Sequence, residues 1–149
     1  MSGSKFKSSG GLTNAGLYDQ RLALHWVQKY IHLVGGNPNR VTVMGESSGG
    51  SSIMTQMTAY GHRIPPPFQQ VVVQSPAWEP GSKSAVVQNE LFDRFLGLLN
   101  VSTLDEVRQL PSQALIDANH ILVSSFPYGS SPFGPVSSLQ TIFDHCVKL

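Results

Sequence analysis

Apolar and polar positions along this chain follow two different rhythms. From Leu17 to Val34, Leu22, Trp26, Tyr30 and Leu33 recur at helical spacing, and Ala23, Val27, Ile31 and Val34 widen the stripe, which predicts an amphipathic helix. Asp19 near its start and Lys29 and His32 near its end suit the helix dipole, and Gly35-Gly36-Asn37-Pro38 stops it. Two short runs, Val41–Met44 and Val71–Val73, are apolar at every position instead. That pattern fits strands buried on both faces of a parallel sheet, expected over about Arg40–Gly45 and Gln70–Gln74. Between them a helix is expected from Ser47 to about Tyr60, with Met54 and Met57 as core filler. Gly61–Pro67 then reads as a stiff connector; its Pro-Pro-Pro run has the composition of a partner motif, the weaker alternative.

After the second strand, Val86, Val87, Leu91, Phe95 and Leu98 predict a helix over Ser82–Leu99, with Glu90 and Arg94 as a charged pair. Ser102 with Asp105 suggests a capping box opening a short helix, Leu104–Leu110. Ser112 is expected to cap another helix to about Val123, and from Ser124 on Ser, Pro and Gly leave no element to predict. The order is α/β with parallel strands. Two strands do not make a stable doubly wound sheet, so the chain reads as the middle of a larger domain. Residues 1–11 are expected to be a flexible leader, 12–136 the domain segment and 137–149 a divergent tail.

The chemistry sits where the first apolar run meets Gly45-Glu46-Ser47-Ser48-Gly49-Gly50. Glycines two residues before and after a serine, between a strand and a helix, are the layout of a nucleophile elbow. There the serine occupies a strained turn with its hydroxyl clear of the sheet, and a side chain at Gly45 or Gly49 is expected to crowd the strand–helix crossing. Ser47 is the candidate nucleophile, and the backbone N–H of Ser48 the candidate oxyanion donor.

Composition narrows the classes. With 149 residues, 40% of them hydrophobic and 13% charged, the chain is globular and no more than one domain. A formal net charge of +1 points to neither nucleic acid nor an anionic membrane. One cysteine, Cys146, leaves no internal disulfide framework and no Cys-rich zinc site. No apolar run reaches membrane-spanning length, and the Ser/Gly/Lys-rich leader lacks the apolar centre of a secretory signal, so the compartment stays open.

Asn14-Ala15-Gly16-Leu17-Tyr18-Asp19-Gln20-Arg21-Leu22-Ala23-Leu24 with Trp26-Val27-Gln28 resembles the type-B carboxylesterase/lipase family, which includes the cholinesterases. So do Gly35-Gly36-Asn37-Pro38, Arg40-Val41-Thr42-Val43 leading into the elbow, Gln74-Ser75 and Phe133-Gly134-Pro135-Val136. The likeness covers about Gly11–Val136 and has the flavour of fungal members. It implies a partial α/β-hydrolase fold: the elbow strand–turn–helix, a second parallel strand, then helices. It also implies cleavage of small-molecule or lipid carboxylic esters through an acyl-enzyme on Ser47, with no metal and no cofactor. Ser48 stands where the family most often has Ala, a change the backbone donor tolerates. Glu46 resembles the family's buried acidic neighbour, a supporting group and not the triad acid. His25 replaces the family's usual Glu, on a helix surface.

A serine hydroxyl needs a base, and the base needs an acid to orient it, in the order Ser, acid, His in this fold. By the resemblance, the acid and histidine lie beyond Val136 and the Gly-Gly oxyanion loop before Met1. Asp144-His145 is a poor substitute, because adjacent residues do not form the acid–His–Ser geometry without an unusual turn. His62 and His120 are no better as substitutes, and His25 and His32 read as ordinary surface or half-buried histidines. The expectation is a serine esterase or lipase segment, inactive alone. The alternatives are a truncated pseudo-enzyme, a non-catalytic cholinesterase-like adhesion protein, which usually lacks the serine, and a domain whose elbow is coincidental. Acyl and alcohol specificity and oligomeric state are not legible.

Overall fold

A computed structural model describes residues 1–77 and 84–136, except for the side chain of His62. The contacts divide into two units, Met1–Thr13 with Ser82–Val136, and Asn14–Gly81 with Ser137–Leu149.

The unit that begins at Asn14 carries the sheet. Helix α2 spans Ala15–Tyr30 and tightens into a 3-10 turn over Ile31–Val34 that ends on Gly35 at φ +84°. Pro38–Arg40 forms a short turn whose Asn37 side chain accepts from Asn39 N–H. Strand β1 is Thr42–Glu46, helix α3 is Ser48–Thr58, and strand β2 is Gln70–Gln74. The strands pair in parallel with Thr42 opposite Gln70 and Glu46 opposite Gln74, and α3 is the crossover, packed against both. The predicted order and second strand hold, and β1 begins and ends a residue or two later than expected. This is the strand–turn–helix–strand core of an α/β-hydrolase in partial form.

The predicted apolar stripe of α2 is not where the burial lies. Leu17 and Arg21 are the buried residues of the helix, whereas Leu22 and Leu33 are each 70% exposed and Trp26 is 58% exposed. Leu17 packs with Ala59, Tyr18 and Tyr60. The strands likewise keep an open surface, with Met44 65% exposed.

The other unit is helical. Helix α4 is Ala85–Leu98, α5 is Leu104–Gln109 and α6 is Ser112–Ser124. Phe92, Leu96 and Val107 form its centre, and α6 lies against α4 with Leu122 fully buried. The leader, expected to be flexible, carries helix α1, Ser4–Ser8, held on α4. Phe6 meets Phe92 edge-on at 5.6 Å, Asn89 accepts from Lys5 N–H, and Lys5 pairs with Asp93. A single aromatic anchor in a polar leader is a weak sequence signal, which is why composition missed it.

Two caps are corrected. The capping box belongs to Thr103 and Glu106, not Ser102 and Asp105: Thr103 Oγ1 accepts from Glu106 N–H, and the Glu106 carboxylate accepts from Thr103 N–H. The Glu at the third helical position is the reciprocal acceptor that Asp is too short to replace. Pro111, not Ser112, precedes α6, and Ser112 is its first residue.

Candidate active site

The strand–helix turn is built around one strained residue. Ser47 has φ +53° and ψ −119°, a backbone conformation unfavourable to any residue with a side chain. Three bonds over-determine it. Ser47 N–H donates to Gln74 O of β2 at 3.0 Å, Ser47 O accepts from Ser51 N–H at 3.0 Å, and Ser51 Oγ also lies 3.2 Å from Ser47 O. Ser51 Oγ reaches Ala77 O at 2.7 Å, tying the segment after β2 to the same turn.

Glycine spacing makes the crossing possible, at positions only partly anticipated. A Cβ on Gly45 would lie 2.6 Å from Gly49 C, 2.7 Å from Gly49 O and 2.9 Å from Gly50 N. A Cβ on Gly50 would meet Gln74 O and Val73 Cγ1 at 3.2 Å. A Cβ on Gly49 meets nothing within 4 Å, so the expectation of crowding at Gly49 is corrected. The motif names the second residue after the serine, but helical periodicity turns the third, Gly50, toward the sheet. The doubled glycine was the signal for it.

Ser47 is exposed at the end of β1, and among the described residues its hydroxyl has no hydrogen-bond partner. Ser48 opens α3, and Ser51 is the first donor back into the turn. The N–H groups of Ser48, Gly49 and Gly50 therefore precede the helical ladder, at the positive end of the helix dipole. An exposed hydroxyl beside such donors suits attack on a carbonyl whose oxygen becomes an anion. Glu46, expected as a buried acidic neighbour, is exposed in this structure.

The far end of α3 is held by a residue the sequence reading did not single out. Arg21 is 4% exposed, donates to Gln56 Oε1 at 3.2 Å and Pro65 O at 3.3 Å, and stacks 4.8 Å from the Tyr60 ring. Burial lowers its pKa from the ordinary arginine value, and Tyr60 opposes that shift. Gln56 Nε2 returns a bond to Leu17 O at 2.7 Å. Gln28 Nε2 holds Pro67 O at 3.0 Å, so the proline run is a pinned connector. One step up the helix, Gln20 Nε2 contacts Ser52 Oγ at 3.4 Å, and Ser52 Oγ donates to Ser48 O at 2.8 Å. Adjacent polar residues on α2 thus grip both ends of α3. The only sequence hint was a Gln-Arg pair inside a predicted helix.

His25, His32 and His120 are exposed, on α2, the turn after it and α6. The His62 side chain, Asp144, His145 and Cys146 lie outside the described residues. Among the described residues no group of three His, Cys, Asp or Glu could hold a metal ion, and no helix is long and apolar enough to cross a membrane.

The sequence profile of the Carboxylesterase family matches residues 5–148, a longer span than the Gly11–Val136 resemblance. The chain is 64% identical over 135 residues to the carboxylesterase patB of Penicillium expansum, covering 91% of this chain and 24% of that protein. It is 43% identical over 81 residues to a secreted lipase of Arthroderma benhamiae, covering 54% of this chain and 16% of the lipase. Among solved structures, a carboxylesterase of Geobacillus stearothermophilus superposes with a TM-score of 0.70 at 24% identity, over 97% of this chain and 31% of that one. The juvenile hormone esterase of Manduca sexta superposes with a TM-score of 0.65 at 25% identity, over 83% of this chain and 26% of that one. The chain therefore spans about a quarter of the length of the curated carboxylesterase it matches over most of its residues.

Proposed function

Because the chain belongs to the Carboxylesterase family, we propose that it is the nucleophile-bearing segment of a serine hydrolase of carboxylic esters. The observation that carries this reading is the strained Ser47 between β1 and α3. Strain of that kind costs on the order of 1–3 kcal/mol, and it persists where the surrounding bonds hold it for function. A serine in this turn presents Oγ and the next N–H to one substrate carbonyl. That presentation is what a covalent mechanism uses, and it argues against the non-catalytic adhesion alternative.

In the proposed reaction Ser47 Oγ attacks the ester carbonyl carbon and gives up its proton to a base. The carbonyl oxygen, now an anion, accepts from Ser48 N–H. The alcohol leaves with the proton, and water then hydrolyses the acyl-Ser47 ester by the same route. No described residue is placed to act as the base. The triad acid, the histidine and the remaining oxyanion donors are assigned to other parts of a family-length protein, by the resemblance. The substrate is a carboxylic ester, small or lipid, as the names of the matched carboxylesterase and lipase suggest.

Labelling with a fluorophosphonate tests this. The 149-residue chain is expected to remain unlabelled, because an unassisted serine is a weak nucleophile. A family-length protein carrying these residues is expected to label at Ser47, and Ser47→Ala to abolish it. Labelling that survives Ser47→Ala would refute the assignment. Rapid labelling of the isolated chain would instead place a base within it, with His145 the first to mutate.

A further inference from the structure

Of the six asparagines, only Asn100 begins an Asn-x-Ser/Thr triplet, Asn100-Val101-Ser102, with a middle residue other than proline. The triplet lies in the turn between α4 and α5, where such acceptors are used. Asn100 and Ser102 are exposed, and the Asn100 amide makes no hydrogen bond among the described residues.

The fold explains part of this triplet and leaves part unexplained. Asn100 has φ +53° and closes α4. Its N–H donates to Gly97 O at 3.1 Å and Val101 N–H to Leu96 O at 3.1 Å, the double bond of a Schellman motif. Val101 packs on the cluster containing Leu96, the apolar contact that accompanies that motif. Left-handed backbone and packing account for Asn100 and Val101. They do not account for the Ser102 hydroxyl, since the cap of α5 is Thr103 and Ser102 contributes only its N–H, to Glu106.

From these observations we infer that Asn100 is an acceptor for an N-linked oligosaccharide. The donor class is a polyisoprenyl-diphosphate oligosaccharide. Asn100 Nδ2 forms a bond to the anomeric carbon, the bond from that carbon to the diphosphate oxygen breaks, the lipid diphosphate leaves with the electron pair, and Nδ2 loses one proton to a base. The glycan then stands on a turn anchored at both sides, with its attachment point in solvent. The site lies in the helical unit and is independent of Ser47.

The test is translation of the full chain behind a cleavable signal sequence with microsomes, scoring only the protease-protected fraction. The expected result is one discrete upward mobility step, removed by peptide N-glycosidase. Ser102→Ala, which leaves Asn100 and its cap bonds in place, should abolish the step, and Ser102→Thr should keep it. Asn100→Gly removes the acceptor while keeping the left-handed cap, and should abolish it as well. A protected chain that runs unshifted, or a step that survives Ser102→Ala, would overturn the inference.

Discussion

Replacing Gly45 by alanine adds one methyl group where the strand–helix turn has no room for it. The new Cβ would lie 2.6 Å from Gly49 C against an ordinary contact of 3.4 Å or more, so about 0.8 Å (3.4 less 2.6) must be found. All three close atoms are backbone of the first turn of α3, so no flexible side chain end can yield. The displacement must move α3 away from β1, against the Ser47–Gln74 bond that holds the turn to β2. Overpacking costs about 1–3 kcal/mol, and backbone clashes belong in the upper half of that range. Gly49→Ala is the control from the same motif. Its Cβ meets nothing within 4 Å, and alanine is favoured over glycine within a helix by about 0.5–1 kcal/mol. Urea unfolding of the two variants, followed through tryptophan fluorescence and far-ultraviolet dichroism, should move the midpoints in opposite directions. If Gly49→Ala destabilised as much as Gly45→Ala, the crossing would not be ordered as described.

Ser47→Gly should stabilise the fold by about 1 kcal/mol while removing the proposed nucleophile, because glycine accepts φ +53° without strain; an unchanged or lower unfolding midpoint would count against a strained serine. Arg21→Met should cost about 1–3 kcal/mol by stranding buried Gln56 Oε1, and an unchanged unfolding midpoint would count against this grip on α3. Thr103→Ala should cost about 1 kcal/mol and Ser102→Ala close to nothing, since only Thr103 accepts from Glu106 N–H; equal losses in chemical denaturation would return the cap to Ser102.

What could be read from the sequence were the features set by local periodicity. The two all-apolar runs announced parallel strands, because a strand covered on both faces has no polar alternation to disguise it. The bounds of Gln70–Gln74 came out as read, and the elbow was legible because its glycines and its serine stand at fixed offsets. Features decided by contacts between distant segments could not be read. That Gly50 rather than Gly49 faces β2 depends on the angle at which α3 crosses the strands. Arg21 carries no local signal of burial, since nothing near it in the chain shows that Gln56, Tyr60 and Pro65 O converge on it. The cap of α5 was misplaced by one residue because Ser102 and Thr103 are equally good caps by type, and only the reach of the Glu106 carboxylate selects between them.

The exposed stripe of α2 carries a different lesson. Leu22, Trp26 and Leu33 keep the spacing of a core-facing helix, yet they meet solvent here, while the buried positions are Leu17 and the cation Arg21. Periodicity reports which face of a helix was selected to be covered, and it does not report by what. Within this unit α2 packs against α3 and the Pro38–Arg40 turn, and its buried residues are Leu17 and Arg21. The polar grip of Gln20 and Arg21 on α3 is complete within the unit, because its partners Ser52 and Gln56 both lie on α3. The turn at Ser47 is held both locally, by Ser51 N–H, and across the sheet, by Gln74 O of β2, so the elbow needs its second strand as well as its motif.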